Sequence, residues 1–536
     1  MYSHPTRAIA VLLLGSLLFG LAHIALLPPF EGFDETAHYS YIQQVAETGR
    51  WPRHGDKMSR DIDDYLRVAP SATHGPWTYR AFFAAPPDLV AAGRRAVHAR
   101  PAKARRFAPG AIDNWQAQHP PLYYAILAPA YLVSTSWSLG GQLLLLRALS
   151  YLIAWAGLCI VTIAALRAFP DRRIAMLLPL GAAMWPTILP GWFPEMGRLG
   201  NDSLVVPFAA FTFILLYRVT LSHALRDYAL LGIVLGFALL TKATFLPVVV
   251  ATFVMLAGMV VCTREREQLS PRLTGTCISA VTAIVIGGWW YLLQLLGTGS
   301  AIGSNDEIRM RAAGGLIAGL TKHLDLQVAA WAPWDVGVSF LWSGTWSFVL
   351  PPRAAMLPIM ALAAGLAYGC CRFLRQRPRE PIDWFAPLVL ALFMAALAYH
   401  SVILLSIVGT AAPAWYLHSL APILALPVGY GMAGATAATW PRRIMSALLL
   451  YTLGFLAVMT TVNALYFAGC GPKLPGRLYI AGSTAIECLA DYPRIYDNLA
   501  VLAFPGIGIL LFVAGWMLLL AGVVFVVGGS STTSAR

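Results

Sequence analysis

The chain has 536 residues, 58% of them hydrophobic and 12% charged, with a mean hydropathy of +0.65. Soluble domains carry about 25% charged residues, so this composition excludes a water-soluble globule and indicates a bilayer protein. The net charge of +13 does not point to nucleic acid, because the basic residues cluster beside apolar stretches, where they set membrane orientation.

The first apolar stretch, 8–27, follows Arg7 and lacks an A-x-A-type cleavage site, so it reads as an uncleaved anchor. Further stretches approach the ~20 residues that cross a ~30 Å hydrocarbon core as a helix. They lie at 147–166, 174–192, 204–221, 228–240, 245–262, 273–296, 354–371, 385–408, 418–438, 444–467 and 499–527. Short alternating segments of the barrel type are absent. The expected fold is therefore an all-α polytopic bundle of about 12 transmembrane helices.

Arginine-rich connections at 167–173, 218–226, 264–272 and 372–379, with the smaller Arg442-Arg443, are assigned to the cytoplasm. Counting 120–137 as another span would put all of them outside. That segment is read instead as a helix at the outer interface, with Tyr123, Tyr124, Tyr131 and Trp137 at the headgroup level. The outer face then collects a long first loop, 28–146, bearing interfacial helices. It also collects loops 297–353 and 468–498 and short turns at 193–203 and 409–417. The arginines of the first loop do not conflict with this, since loops beyond about 60 residues escape the positive-inside rule. A single transmembrane domain, 1–527, is expected to precede a short cytoplasmic tail, 528–536. Cys159, Cys262, Cys277, Cys370 and Cys371 lie in or beside spans without metal-type spacing, whereas Cys470 and Cys488 share an outer loop and are expected to form a disulfide.

Residues able to do chemistry gather in the outer loops. After Pro28-Pro29, Asp34 is placed to start a helix that stops at Gly49, with Asp34, His38 and Tyr41 on one face. Asp34 fits both a plain helix cap and a working carboxylate beside Glu35. The turn from Glu195 to Ser203 carries Arg198, Asn201 and Asp202, where capping of the next span and a functional role again both fit. Gln118-His119-Pro120-Pro121-Leu122-Tyr123-Tyr124 opens the interfacial helix. Lys242 follows a span of about thirteen residues, ~20 Å of helix. It is therefore expected below the outer surface, where it needs an anionic partner unless it snorkels.

Phe33-Asp34-Glu35, His119 to Tyr124, Asn201-Asp202-Ser203-Leu204 and Leu240-Thr241-Lys242, in this order, resemble the GT-C superfamily of integral membrane glycosyltransferases. That superfamily includes the dolichyl-phosphate-mannose protein mannosyltransferases and the lipid A aminoarabinose transferase, and an uncharacterised bacterial branch carries similar blocks. The resemblance covers roughly the first half of the chain. It implies a bacterial inner-membrane enzyme that moves a sugar, with inversion, from a polyprenyl-phosphate carrier to an envelope glycolipid, polysaccharide or protein on the periplasmic side. Asp34 would be the base, Glu35 its neighbour, and Asp202 the acidic residue that binds a divalent cation (Mg or Mn) in some members and none in others. His38, His119, Tyr123, Arg198, Asn201, Lys242, Tyr416 and His418 would contact substrate. Related branches carry an arginine before a Tyr-Leu stretch that here reads Trp415-Tyr416-Leu417-His418 without one; His418, Lys242 or an outer-loop arginine would stand in for it.

The chemistry suits these residue types. A carboxylate can take the acceptor proton, and a cation can stabilise the departing phosphate. Trp289, Trp290 and Tyr291, with Trp331, Trp334, Trp342 and Trp346, fit either a sugar site or an interfacial belt. A transporter would instead place ionisable residues in mid-span and broken helices in matching halves. A ligase or polymerase of lipid-linked glycans would differ mainly in its pyrophosphate-linked donor.

Overall fold

The computed structural model describes residues 5–222, 224–347, 349–435, 439–470 and 482–528. The expected tail, 528–536, lies outside them beyond its first residue, as does the 471–481 part of the third loop.

The described chain is mostly helical, and nine of its helices are long and apolar enough to cross a membrane. They begin with α1 (Pro5–Leu26) and end with Pro505–Gly528. Between these two lie α2 (Glu35–Thr48), α3 (Leu122–Val133), α4 (Leu139–Ala168), α5 (Arg172–Ile188), α6 (Asp202–Leu221), α7 (Leu225–Leu239) and α8 (Leu246–Val261). There follow α9 (Arg266–Ala283), α10 (Trp289–Thr298), α11 (Asn305–Ala312), α12 (Arg353–Arg375), α13 (Phe385–Ile407), α14 (Ala421–Ala435) and α15 (Thr439–Phe467), and Pro505–Gly528 is α16. Of the twelve expected spans, nine meet the length and hydropathy of a crossing helix, while α5, α7 and α14 are shorter, at 17, 15 and 15 residues. The protein is thus an all-α, multi-pass membrane protein. A small sheet pairs β1 (Lys57–Ser59) antiparallel with β2 (Pro109–Asp113) inside the first loop.

Small residues let spans touch backbone to backbone. α1 lies along α16, and a Cβ on Gly515 would stand 2.5 Å from the Phe19 nitrogen. Such close approach substitutes for the hydrophobic drive that lipid removes. The loops after α1, before α6, after α7 and before α14 meet at one end of the bundle, where Asp34, Arg198, Lys242 and Tyr416 line one cavity. At the other end the connections around Asp171, Tyr217 and Glu380 lie near one another.

The expectation for 120–137 needs correcting. α3 is short, but Tyr123, Tyr124 and Tyr131 are fully buried against α2 rather than set among lipid headgroups; Trp137 alone of the four is exposed. Tyr124 stacks on Tyr41 with ring centroids 3.5 Å apart, and Tyr131 donates to Glu47 at 3.0 Å. An aromatic stripe reads alike whether lipid or a neighbouring helix covers it.

Candidate active site

The segment joining α1 to α2 turns sharply. Phe30 and Asp34 both hold left-handed backbone, at φ 64° and 58°, the only non-glycine residues among those described that do so. For a bulky residue such as Phe30 this conformation is a genuine outlier, retained only where the surroundings over-determine it. Gly32 lets the segment lie on Arg198, since a Cβ there would stand 2.5 Å from the Arg198 Cβ.

Asp34 starts α2, and Gly49 ends it in the left-handed conformation. Asp34 does not, however, cap the helix with its side chain. Its Oδ1 accepts from Trp115 Nε1 at 2.8 Å, and the carboxylate faces the cavity. Burial raises its pKa, opposed by the Arg198 charge and the Trp115 bond. Glu35 points elsewhere. It receives Arg147 Nε at 2.7 Å, Arg147 Nη2 at 2.5 Å and the Leu199 N–H at 3.0 Å. Arg147 also donates to the Leu27 and Pro28 carbonyls, at 2.6 and 2.7 Å. This buried fork ties the exit of α1, the start of α2 and the turn before α6 together. Glu35, expected beside the base, is held behind the cavity wall.

The turn before α6 builds a second network. Arg198 donates to Glu195 at 2.5 and 3.2 Å, to Asp202 Oδ2 at 2.8 Å and to the Phe33 carbonyl at 3.1 Å. α7 has only 15 residues, about 22 Å of helix, which leaves Lys242 below the surface. Its Nζ turns inward, 2.5 Å from the same Asp202 Oδ2 and 4.7 Å from the centre of the Tyr416 ring. Burial pushes the Glu195 pKa up to about 7.

All this borders a cavity of about 700 Å³. Of the expected site residues, Asp34, His38, His119, Arg198, Lys242 and Tyr416 line it. The two imidazoles lie parallel, 6.2 Å apart, with His38 Nδ1 2.9 Å from Tyr124 Oη. Burial lowers the pKa of both, that of His119 to about 3. One side of the cavity is apolar, formed by Leu246 and Pro247 of α8 and by Phe393, Ala396, Leu397 and Ile403 of α13.

No protein-family model and no curated protein sequence matches this chain. Solved structures do. ArnT from Cupriavidus metallidurans in the apo state shares 14% identity over 91% of this chain and 75% of that one, with a TM-score of 0.39. The arabinosyltransferase EmbB from Mycobacterium smegmatis shares 14% identity over 96% of this chain and 41% of that one, with a TM-score of 0.44. An oligosaccharyltransferase from Archaeoglobus fulgidus, solved with Zn and sulfate, shares 14% identity over 86% and 52%, with a TM-score of 0.37. Likenesses this loose decide no function.

The remaining expected residues sit behind the wall. Tyr123 bonds Ser150 at 2.9 Å, and Asn201 donates to the Thr241 carbonyl at 3.2 Å. His418 cannot replace the missing arginine, because its ring nitrogens meet Trp185 Nε1 at 3.3 Å and the Phe340 carbonyl at 2.8 Å. Asp202 does not suit a divalent metal either. Its Oδ2 already serves two cations, and no group of three His, Cys, Asp or Glu among the described residues could hold an ion. Of the tryptophans after α9, Trp346 lines the cavity, while Trp331 and Trp289 are exposed.

Sequence reasoning missed Trp115, Gln116 and Arg147. The polar-aromatic run Asn114 to Gln118, directly before His119, was a usable signal, as was an arginine that would sit buried inside an apolar helix.

Proposed function

We propose that this protein is a GT-C-type membrane glycosyltransferase that transfers a sugar from a polyprenyl-phosphate carrier to an envelope acceptor on the periplasmic face of a bacterial inner membrane. The observation that carries this reading is the make-up of this cavity. The Asp34 carboxylate, the Arg198 and Lys242 cations and apolar residues of α8 and α13 face one space. The apolar wall suits the prenyl chain, Lys242 and Arg198 suit its phosphate, and Asp34 suits the acceptor.

The step balances simply. Asp34 takes the proton of an acceptor hydroxyl as that oxygen attacks the anomeric carbon. The bond from this carbon to the phosphate oxygen breaks, and polyprenyl phosphate leaves with the electron pair, its charge stabilised by Lys242 and Arg198. Attack opposite the leaving phosphate inverts the anomeric centre. A raised Asp34 pKa makes a stronger base than an exposed aspartate. Glu195 and Asp202 hold the two cations in place, so no metal enters this scheme.

Asp34→Asn tests it. No capping bond is lost, so stability should change by less than ~1 kcal/mol, while turnover with a polyprenyl-phosphate sugar falls by ~10² to 10⁴ and donor binding survives. Near wild-type transfer would overturn the assignment of the base. Asp202→Asn should lose activity without rescue by added Mg²⁺ or Mn²⁺; rescue would return Asp202 to a metal site.

A further inference from the structure

The cavity is also lined by a polar and aromatic group of residues around Trp115. The short turn Trp115–Gln118 is clamped there between two elements. Trp115 Nε1 bonds Asp34, and its carbonyl receives Asn305 Nδ2 at 2.7 Å. The Asn305 N–H in turn donates to Gln118 Oε1 at 2.8 Å. His74 lies parallel to Trp115 at 6.0 Å and meets Trp346 edge-on at 6.1 Å. Trp346 is fastened through its backbone N–H to the Glu31 carbonyl at 3.0 Å. Beside them Gln116 lines the cavity, is 4% exposed, and its Oε1 has no hydrogen-bond partner. A buried amide oxygen left without a partner costs about 1–3 kcal/mol; a ligand hydroxyl would repay that cost.

Resting on the transferase reading, we infer that the space bounded by Trp115, Gln116, Trp346 and Asp306 takes a pyranose ring, so that the acceptor is itself a carbohydrate. Indole faces suit the C–H face of a sugar, while an amide and a carboxylate suit its hydroxyls. An acceptor peptide held by strand addition would need an open sheet edge on the cavity. β1 and β2 pair with each other, and none of their residues lines the cavity. An acceptor held mainly by its lipid would compete with the prenyl chain for the apolar wall of α8 and α13. The attacking hydroxyl then meets Asp34, whose Oδ1 is fixed by the same Trp115 that borders the ring.

Saturation-transfer NMR on the full chain in nanodiscs tests this. The probes are a panel of methyl hexopyranosides, an envelope glycolipid, its soluble head-group oligosaccharide, and a capped Ser/Thr peptide. Ring-proton transfer to at least one glycoside is expected. It should weaken about fivefold or more in Gln116→Ala and in Trp346→Ala, and persist in Asp34→Asn. Equal transfer to glycolipid and oligosaccharide would assign a soluble glycan, and transfer to the glycolipid alone a lipid-borne one; both keep the sugar. Transfer to the peptide alone, or glycoside signals unchanged in folded Gln116→Ala, would overturn it. Polyprenyl-phosphate binding by the wild type, measured in parallel, separates the two readings. Lost donor binding fails the transferase proposal, whereas intact donor binding without sugar contact fails only this inference.

Discussion

Lys242 and Arg198 converge on one oxygen of Asp202, at 2.5 and 2.8 Å. The carboxylate belongs to α6 and the lysine follows α7, so the pair also sets how these two helices meet. A lysine ammonium has three donors, which lets Nζ keep Asp202 and still meet an incoming phosphate.

Lys242→Met should therefore weaken polyprenyl-phosphate binding by about tenfold or more, with a smaller effect on acceptor affinity. Calorimetric titration of the purified variant decides it. Unchanged donor affinity in a folded variant would leave Lys242 as a structural partner of Asp202 and Tyr416.

Glu35 and Arg147 form a buried pair whose side chains are 0% and 3% exposed. Removing either partner strands the other, at about 3–5 kcal/mol. Glu35→Gln and Arg147→Met should each lower the unfolding temperature in detergent sharply, and the double variant should lose less than the sum. A Glu35→Gln protein of normal stability that has lost turnover would instead make Glu35 a substrate-facing group.

Glu31 is fully buried, and its Oε1 accepts from the Ala72 N–H at 2.9 Å. Burial pushes its pKa from 4.5 up to about 7, against the pull of that N–H. The folded chain thus holds this proton more tightly than the unfolded one. The stabilisation is complete below about pH 4.5 and is lost as pH rises to about 7, a change on the order of 3 kcal/mol. Thermal melts across that window should slope downward, and Glu31→Gln should flatten them. An identical slope in the variant would show that another group titrates.

Cys470 and Cys488 are joined in a disulfide, with Cα atoms 6.4 Å apart and a sequence separation of 18. Closing a loop of this length stabilises by about 3 kcal/mol through chain entropy. Peptide mapping without reduction should find the linked pair, and reduction should lower the melting temperature. Two alkylatable thiols in native, unreduced protein would refute the bond.

Much of the bundle was readable because hydropathy reports span after span, and because Gly49 ends α2 in the left-handed conformation, as helix-end chemistry dictates. The recessed place of Lys242 followed from a count of residues in the helix before it. What failed was direction. The span expected from 147 begins at Leu139 because Ser138 caps it, and Arg147 broke the hydropathy window although the helix runs through it. His418 and Glu35 carry the right chemistry but face inward, since their partners, Phe340 and Arg147, lie far along the chain. Spacing orders residues along one helix; it does not say which distant group each one meets.

The seam between α1 and α16, closed at Gly515, has a consequence for biosynthesis. Nearly the whole chain separates the two helices, so α1 enters the bilayer long before the ribosome makes its mate. Until then the face that includes Phe19 waits without its partner helix. A chain halted before Pro505 would display that seam as a vacant contact, which is the kind of surface on which membrane quality control sorts finished proteins from unfinished ones.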